Sequence, residues 1–186
     1  MGGPALRRLS YAEYLAFQAK SGQKHEFVDG VAVAMAGGSH AHAIVIGNTY
    51  YLLRQGLSGR PCRVLNSEAR LRIPLTRNAR YPDAQVICGP VRFDAEDADA
   101  VTNPSLVVEV LSEGTAGVDR GEKFREYRTI DSLRHYLLID PERRTVELFT
   151  RTSSGTWLFS DHTPGGDLPL AALDLTVQVD ALFEGL

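Results

Sequence analysis

Three short apolar runs constrain this chain more than anything else in it: AQVIC at 84–88, LVVEVL at 106–111 and HYLLI at 135–139. Runs this short and this continuously apolar read as strands covered on both faces, and such a sheet needs helices to cover it. The class that follows is α/β, a central sheet flanked by α-helices. Two of the runs are odd in one respect. Asp83 stands at the head of the first and Glu109 inside the second, where an apolar strand has no structural reason to hold a carboxylate.

The covering helices announce themselves by start signals and periodicity. LSYAEYLAFQAK reads as an N-terminal helix, with Ser10 as N-cap, Glu13 completing a capping box, and Leu9, Tyr14 and Phe17 on one face. A β-hairpin follows in HEFVDGVAVAM, folded about Asp29-Gly30. From His40 to Gln55 the apolar residues Ile44, Ile46, Tyr50, Tyr51 and Leu53 exceed a single stripe, so this helix is expected to be covered on most sides. Val118 to Ile130 is the next strong helix, and four-residue spacing sets Asp119, Lys123 and Tyr127 on one side of it. CRVLNSEARLRIP at 62–74 alternates as one strand, with Arg70 and Arg72 on its wet face and an irregular edge at Asn66-Ser67. FDAEDADAVTN at 93–103 has no periodicity and reads as an exposed acidic loop without chemistry. TVELFT pairs with HYLLID as a hairpin, WLFSD adds a strand, and VDALFEGL closes with a helical pattern.

At 186 residues, with no repeat or linker, the expectation is a single domain over 1–186. Apolar residues at 44% and charged residues at 23% suit a soluble globular protein, and no run approaches the roughly 20 apolar residues of a membrane span. MGGPALRRLS lacks both the apolar core of a signal peptide and the Ser or Thr of a myristoylation site, so a cytoplasmic protein is expected. Cys62 and Cys88 are accordingly expected to be reduced and half-buried. A net charge of −3 does not advertise nucleic-acid binding. Yet Lys20, Lys24 and Lys123 are the only lysines among 20 basic residues, and the arginines that make up the rest can grip phosphates in a local patch.

Neighbouring strands would bring Asp83 and Glu109 to one edge of the sheet. Two carboxylates suit a hard divalent cation such as Mg²⁺, which keeps waters for a phosphate substrate. The plainer reading is that each acid ends a strand and pairs with an arginine. Lys123, on the helix after the Glu109 strand, could return its ammonium to the pair and stabilise charge on a phosphate, or could simply pair with Asp119. His40 and His42 are spaced by two residues and point in different directions on a helix, so they are no i, i+4 ligand pair; each is a cap, a core residue or a neighbour of the cleft. Tyr127 could flank the site, but packing is the expectation.

The spacing Pro82-Asp83 followed by Glu109-Val110-Leu111 resembles the PD-(D/E)XK restriction-endonuclease-like superfamily, with Leu111 where its lysine normally stands. A lysine displaced to the following helix characterises the Uma-two family of proposed bacterial endonucleases, which this chain is similar to over nearly its full length. The resemblance rests on HEFVDG at 25–30, His42 before an apolar helix, LNSEARLRI at 65–73, YPDAQVIC at 81–88, VVEVLSEGT at 107–115, DRGEKFREY at 119–127 and HYLLIDPE at 135–142. It implies a restriction-endonuclease-like mixed central sheet, with Asp83, Glu109 and the Val110 carbonyl as metal ligands and Lys123 as the catalytic lysine. Glu26 matches an acidic position of the N-terminal motif: an added acid at the site's edge, or a hairpin residue paired with an arginine. Glu68 stands where the family often has Asp, with Arg70 and Arg72 beside it as candidate phosphate contacts.

The function so implied is a Mg²⁺- or Mn²⁺-dependent endonuclease that hydrolyses DNA. Two rivals stand beside it: a catalytically silent nuclease fold serving as a binding or assembly module, and a hydrolase of another phosphate ester. A homodimer is expected because two strands are most simply cut by two copies of one small site.

Overall fold

The computed structural model describes residues 8–35 and 37–186. MGGPALR, which carries the expectation of no leader and no acyl anchor, lies outside the described residues. The chain begins with α1 (Tyr11–Gln18), the hairpin β1 (His25–Val28) and β2 (Val31–Ala34), and the long helix α2 (His40–Gly56). Then come β3 (Cys62–Asn66), β4 (Arg70–Arg72), β5 (Ala79–Arg80), β6 (Ala84–Cys88), β7 (Ala100–Val101) and β8 (Leu106–Val110). A helical segment follows in three parts: α3 (Ala116–Val118), a π-helical turn (Asp119–Lys123) and α4 (Phe124–Tyr127). The chain closes with β9 (His135–Asp140), β10 (Thr145–Arg151), β11 (Trp157–His162), β12 (Asp167–Leu170), a 3₁₀ turn (Ala171–Leu173), β13 (Leu175–Gln178) and α5 (Val179–Leu182).

All three apolar runs lie side by side in a central sheet ordered β11-β10-β9-β8-β6-β3. The β8–β9 pair is parallel and the others antiparallel, so the sheet is mixed. Alternation sorts the side chains onto two faces. Leu106, Val108, Val110, Leu137 and Ile139 join Val45 and Leu53 of α2 and the β12–β13 hairpin in one core. Val107, Tyr136 and Leu138 face the other way, into a second core with Leu71, Ile87, Tyr127 and Ile130. Each aliphatic side chain so enclosed contributes about 1.5–3 kcal/mol relative to exposure, which is why these runs hold the centre. The second face is covered by the three-part helical segment and by a smaller sheet ordered β2-β1-β5-β4-β7.

The site depends on one consequence of register. Ala84 faces Val108, and the ladder runs antiparallel from there, so the next position along it sets Asp83 opposite Glu109. Both belong to the face that carries Val107 and Ile87, the face turned toward the helical segment and the hairpin. Two residues at odd places in apolar strands thus become cross-strand neighbours beneath a helix.

Several expectations are corrected. The 62–74 stretch is two strands in two different sheets, because Ser67 and Glu68 form a turn closed by the Ala69 N–H donating to the Asn66 carbonyl. Arg70 and Arg72 face the protein interior and not a phosphate. Arg72 is 1% exposed, with its guanidinium carbon 3.4 Å from the Tyr11 ring centroid, and Arg70 donates to the Tyr81 hydroxyl and pairs with Asp97. The acidic loop is correspondingly not a free loop: Asp97 is buried, accepts from the Tyr11 hydroxyl at 2.6 Å, and the segment adds β7 to the smaller sheet. Cys62 and Cys88 form a disulfide instead of standing reduced, since the β3–β6 register places them directly opposite each other. The helix over 118–130 is divided by its π-helical turn and ends at Tyr127. In α1 the capping box is present and Tyr14 is buried, while Phe17 stays exposed against the edge of the His25 ring. No helix among the described residues is long and apolar enough to cross a membrane.

Candidate active site

The hairpin, the start of α2, the head of β6, the end of β8 and the π-helical turn enclose a cleft of about 340 Å³. Glu26, His42, Arg80, Asp83, Glu109, Asp119 and Lys123 project into it between apolar walls that include Val28, Val33 and Val118. Each polar residue arrives from a different element, and each has a local reason to be there.

Asp83 precedes β6 by one residue, where the β6–β8 ladder ends. Its Oδ2 accepts the Val110 N–H at 2.7 Å, a bond that orients the carboxylate and leaves Oδ1 for the cleft. Glu109 is 3% exposed. Its Oε1 accepts the Tyr127 hydroxyl at 2.8 Å and its Oε2 lies 3.0 Å from Lys123 Nζ. Leu111, where the superfamily's lysine would stand, is buried in the second core. The lysine on the helix does reach back: Lys123 Nζ is 2.8 Å from Asp119 Oδ1, 3.0 Å from Glu109 and 3.9 Å from Glu26 Oε1. Lys123 therefore pairs with Asp119, as its plainer reading has it, and with Glu109 at once.

Glu26 sits on β1 and pairs with an arginine. Arg80 Nη1 donates to Glu26 Oε2 at 2.7 Å, while its Nη2 and Nε donate to the two oxygens of Glu126 at 2.8 and 3.2 Å. Glu26 is thus a hairpin residue fixed by Arg80, and it also lines the cleft. Glu68 lies outside the cleft, in an ion pair with Lys24. His40 is exposed and outside the lining as well.

The electrostatics follow from the count of charges. Glu26, Asp83, Glu109, Asp119 and Glu122 line the cleft against Arg80 and Lys123, and Arg80 is shared with Glu126. Burial first, and then the nearby Asp83, Asp119 and Glu26, push the Glu109 carboxyl up to about 8 despite the opposing pull of Lys123. Burial works against the Lys123 charge, but Glu109, Glu26 and Asp119 outweigh it and raise its affinity for a proton above the ordinary value. Both shifts express one fact: the cleft holds more acid than its own cations neutralise. A divalent cation fits that excess, and the donors present are the hard oxygens that suit Mg²⁺ or Mn²⁺. Among the described residues no three His, Cys, Asp or Glu side chains close on one point as a preformed cage. One or two carboxylates with solvent are what Mg²⁺ ordinarily takes.

Sequence reasoning placed Asp83, Glu109, Lys123 and Glu26, and the fold brings all four together. It missed Arg80, gave Asp119 only as an ion-pair partner of Lys123, and expected Tyr127 to pack rather than to flank the site. The four-residue spacing of Asp119, Lys123 and Tyr127 carried the signal for two of these. Nothing local marks Arg80, whose partners lie 54 and 46 residues away. His42 also lines the cleft, with Nε2 3.5 Å from Asp83 Oδ2. The Asp83 carboxylate beside it raises its affinity for a proton against the effect of burial.

The architecture and the sequence both have counterparts. A crystal structure of a "putative nuclease belonging to DUF820" from Anabaena variabilis ATCC 29413 superposes with a TM-score of 0.75, covering 92% of this chain and 96% of that one at 15% identity. The fold is restriction-endonuclease-like, a mixed sheet flanked by helices. The chain is 35% identical over 179 residues to "Uncharacterized protein slr1290" of Synechocystis sp. (strain ATCC 27184 / PCC 6803 / Kazusa), spanning 96% of this chain and 93% of that protein. It is 37% identical over 153 residues to "Uncharacterized protein sll1609" of the same strain, spanning 82% and 86%. Residues 11–181 match the Uma2 family, described as "Putative restriction endonuclease", and the chain belongs to that family.

Proposed function

We propose that the chain is a metal-dependent endonuclease that hydrolyses DNA phosphodiester bonds in the cleft, acting in the cytoplasm as a homodimer. The observation that carries this reading is the return of Lys123 Nζ to within 3.0 Å of Glu109, on the strand beside Asp83. Asp83, Glu109 and the Val110 carbonyl would hold Mg²⁺ or Mn²⁺. Such an ion supplies Lewis-acid polarisation of the phosphate and lowers the pKa of water.

The chain's own residues do the rest. Lys123, kept charged by three carboxylates, presents a fixed ammonium where negative charge builds on the phosphoryl group, in a walled cleft where such a charge acts strongly. Tyr127 holds Glu109 by one oxygen, and the Val110 N–H holds Asp83 by one, so neither carboxylate has to find its orientation when substrate arrives. Glu26, fixed by Arg80, lines the same cleft and can orient the attacking water. Phosphates entering a cleft with this excess of acid are repelled unless a cation is bound, which makes cleavage dependent on added metal.

The test is cleavage of plasmid and single-stranded DNA with Mg²⁺ or Mn²⁺ by wild type, Asp83→Ala, Glu109→Ala and Lys123→Ala. Metal-dependent cleavage by wild type, reduced at least about a hundredfold in each variant, is expected. Equal residual activity in all four proteins would refute the proposal. DNA binding that persists unchanged without the acids, with no cleavage, would favour the silent binding module.

A further inference from the structure

Upstream of α2 the chain reads Gly37-Gly38-Ser39-His40-Ala41-His42, and the helix start fixes His42 through its backbone. The Ser39 hydroxyl accepts the His42 N–H at 3.2 Å. Side chains lean toward the N-terminus of their helix, which here directs the imidazole over Gly38 and toward the head of β6. Gly38 is needed for this ring. A β-carbon there would lie 2.3 Å from His42 Nδ1, 2.8 Å from Cγ and 3.0 Å from Cε1, so any larger residue must push the imidazole away. With the Nδ1 edge packed on the chain, Nε2 faces the cleft. It lies 3.5 Å from Asp83 Oδ2, and Val110, whose N–H is given to that same Asp83 oxygen, lines the cleft with it.

This nitrogen therefore reaches Asp83, one of the three groups that the proposed function assigns to the metal, in the cleft that Glu109 and Val110 also line. Ligands on adjacent vertices of an octahedral ion with bonds of about 2.1 Å stand about 3 Å apart, within a small ring movement of the spacing found. Resting on the metal-dependent reading above, we propose that His42 Nε2 is a nitrogen ligand of the same ion, completing a set of carboxylate, carbonyl and imidazole donors from β6, β8 and α2. The chemical consequence is selectivity. Mg²⁺ prefers an all-oxygen shell, whereas imidazole favours first-row transition ions, so this nitrogen shifts the site from Mg²⁺ toward Mn²⁺.

The experiment uses the full chain with Mn²⁺ as the probe. Calorimetry gives Mn²⁺ and Mg²⁺ affinities, and electron spin-echo modulation of the bound Mn²⁺ reports a directly bound ¹⁴N. Wild type is expected to show ¹⁴N modulation that His42→Gln lacks, with Mn²⁺ affinity falling about tenfold or more and Mg²⁺ affinity falling less. Gly38→Ala keeps every ligand but displaces the ring, and is expected to attenuate the same signal. Circular dichroism confirms that the variants fold. Undiminished ¹⁴N modulation in His42→Gln overturns the inference, as does an equal loss of Mn²⁺ and Mg²⁺ affinity. Mn²⁺ binding that Asp83→Asn abolishes but that shows no ¹⁴N in wild type also overturns it, and leaves the metal reading standing. No Mn²⁺ binding by wild type overturns both.

Discussion

Arg80 is the cation on which the acid side of the cleft rests. Its guanidinium is 3% exposed and serves Glu26 with one nitrogen and Glu126 with two, while the Asn78 side chain donates to Glu126 as well. Burial opposes its charge, but Glu126 and Glu26 raise its hold on the proton, so it titrates nowhere near neutrality. A lysine at this position would keep the charge and lose the planar fork. Arg80→Lys is therefore expected to lower the unfolding free energy by about 2 kcal/mol, read as a lower midpoint at unchanged slope in a urea titration. Arg80→Leu should cost more, about 3–5 kcal/mol, because the buried Glu26 and the half-buried Glu126 both lose their arginine. Glu26 should also lose its fixed place, so both variants should slow DNA cleavage beyond what the stability loss explains. A midpoint equal to wild type in Arg80→Lys would mean that charge alone, without the fork, holds Glu26 and Glu126.

At the scale of elements, the part that matters most is the π-helical turn over Asp119–Lys123. A π turn inserts one residue into a helix and re-aims the side chains around it. Here it sets Lys123 toward Glu109 while Tyr127 still reaches Glu109 from α4. The turn has its own support: the Tyr136 hydroxyl on β9 donates to the Asp119 carbonyl at 2.9 Å. Tyr136→Phe leaves that carbonyl without its partner, at a cost of about 1–3 kcal/mol. Amide exchange in the segment around the π turn is expected to quicken several-fold or more while β8 and β9 keep their protection. Exchange that stays at the wild-type rate would show that the π turn is held by its helix alone.

The same element marks where sequence reading stops. Capping boxes, hairpin dipeptides and apolar runs are local signals, and α1, the β1–β2 hairpin, α2 and the strands β6, β8 and β9 follow from them. Asp83, Glu109 and Lys123 stand out because each breaks a local pattern or is rare in the composition. A π turn breaks no pattern, since Asp119, Lys123 and Tyr127 lie on one side of an ordinary helix as well. Long-range pairing is hidden for a different reason. Arg70 and Arg72 alternate correctly for a wet strand face, and only the arrival of α1 and the acidic loop from distant parts of the chain turns that face inward. Cys62 and Cys88 likewise meet through the β3–β6 register, which neither residue's surroundings reveal. The β12–β13 hairpin escapes because its strands are short and followed by a helical pattern.

For the whole molecule, His135 joins layers that the sequence leaves far apart. It is fully buried at the start of β9. Its Nε2 accepts the Ala172 N–H at 3.0 Å, tying the 3₁₀ turn after β12 to the central sheet, and its Nδ1 lies 3.1 Å from the Thr150 hydroxyl on β10. An Nε2 that accepts must be unprotonated, so the native ring is the neutral form with its proton on Nδ1. Burial alone lowers the folded pKa to about 4 from the ordinary 6.5. The sign follows directly. The unfolded chain takes up a proton on this ring as pH falls through 6.5 and the folded protein resists until about 4, so the stabilisation is complete above that window and is lost on acidification across it. The total is about 3 kcal/mol. Protonation would also place a hydrogen where Ala172 donates, so the layer contact and the acid response are one event. His135→Gln removes the titration while keeping an acceptor, and its urea midpoint should fall less than wild type's between pH 6.5 and 4. Carboxylates common to both proteins cancel in that difference, which isolates the ring. Parallel midpoints across the window would place the acid sensitivity of the fold elsewhere and leave His135 as a packing residue.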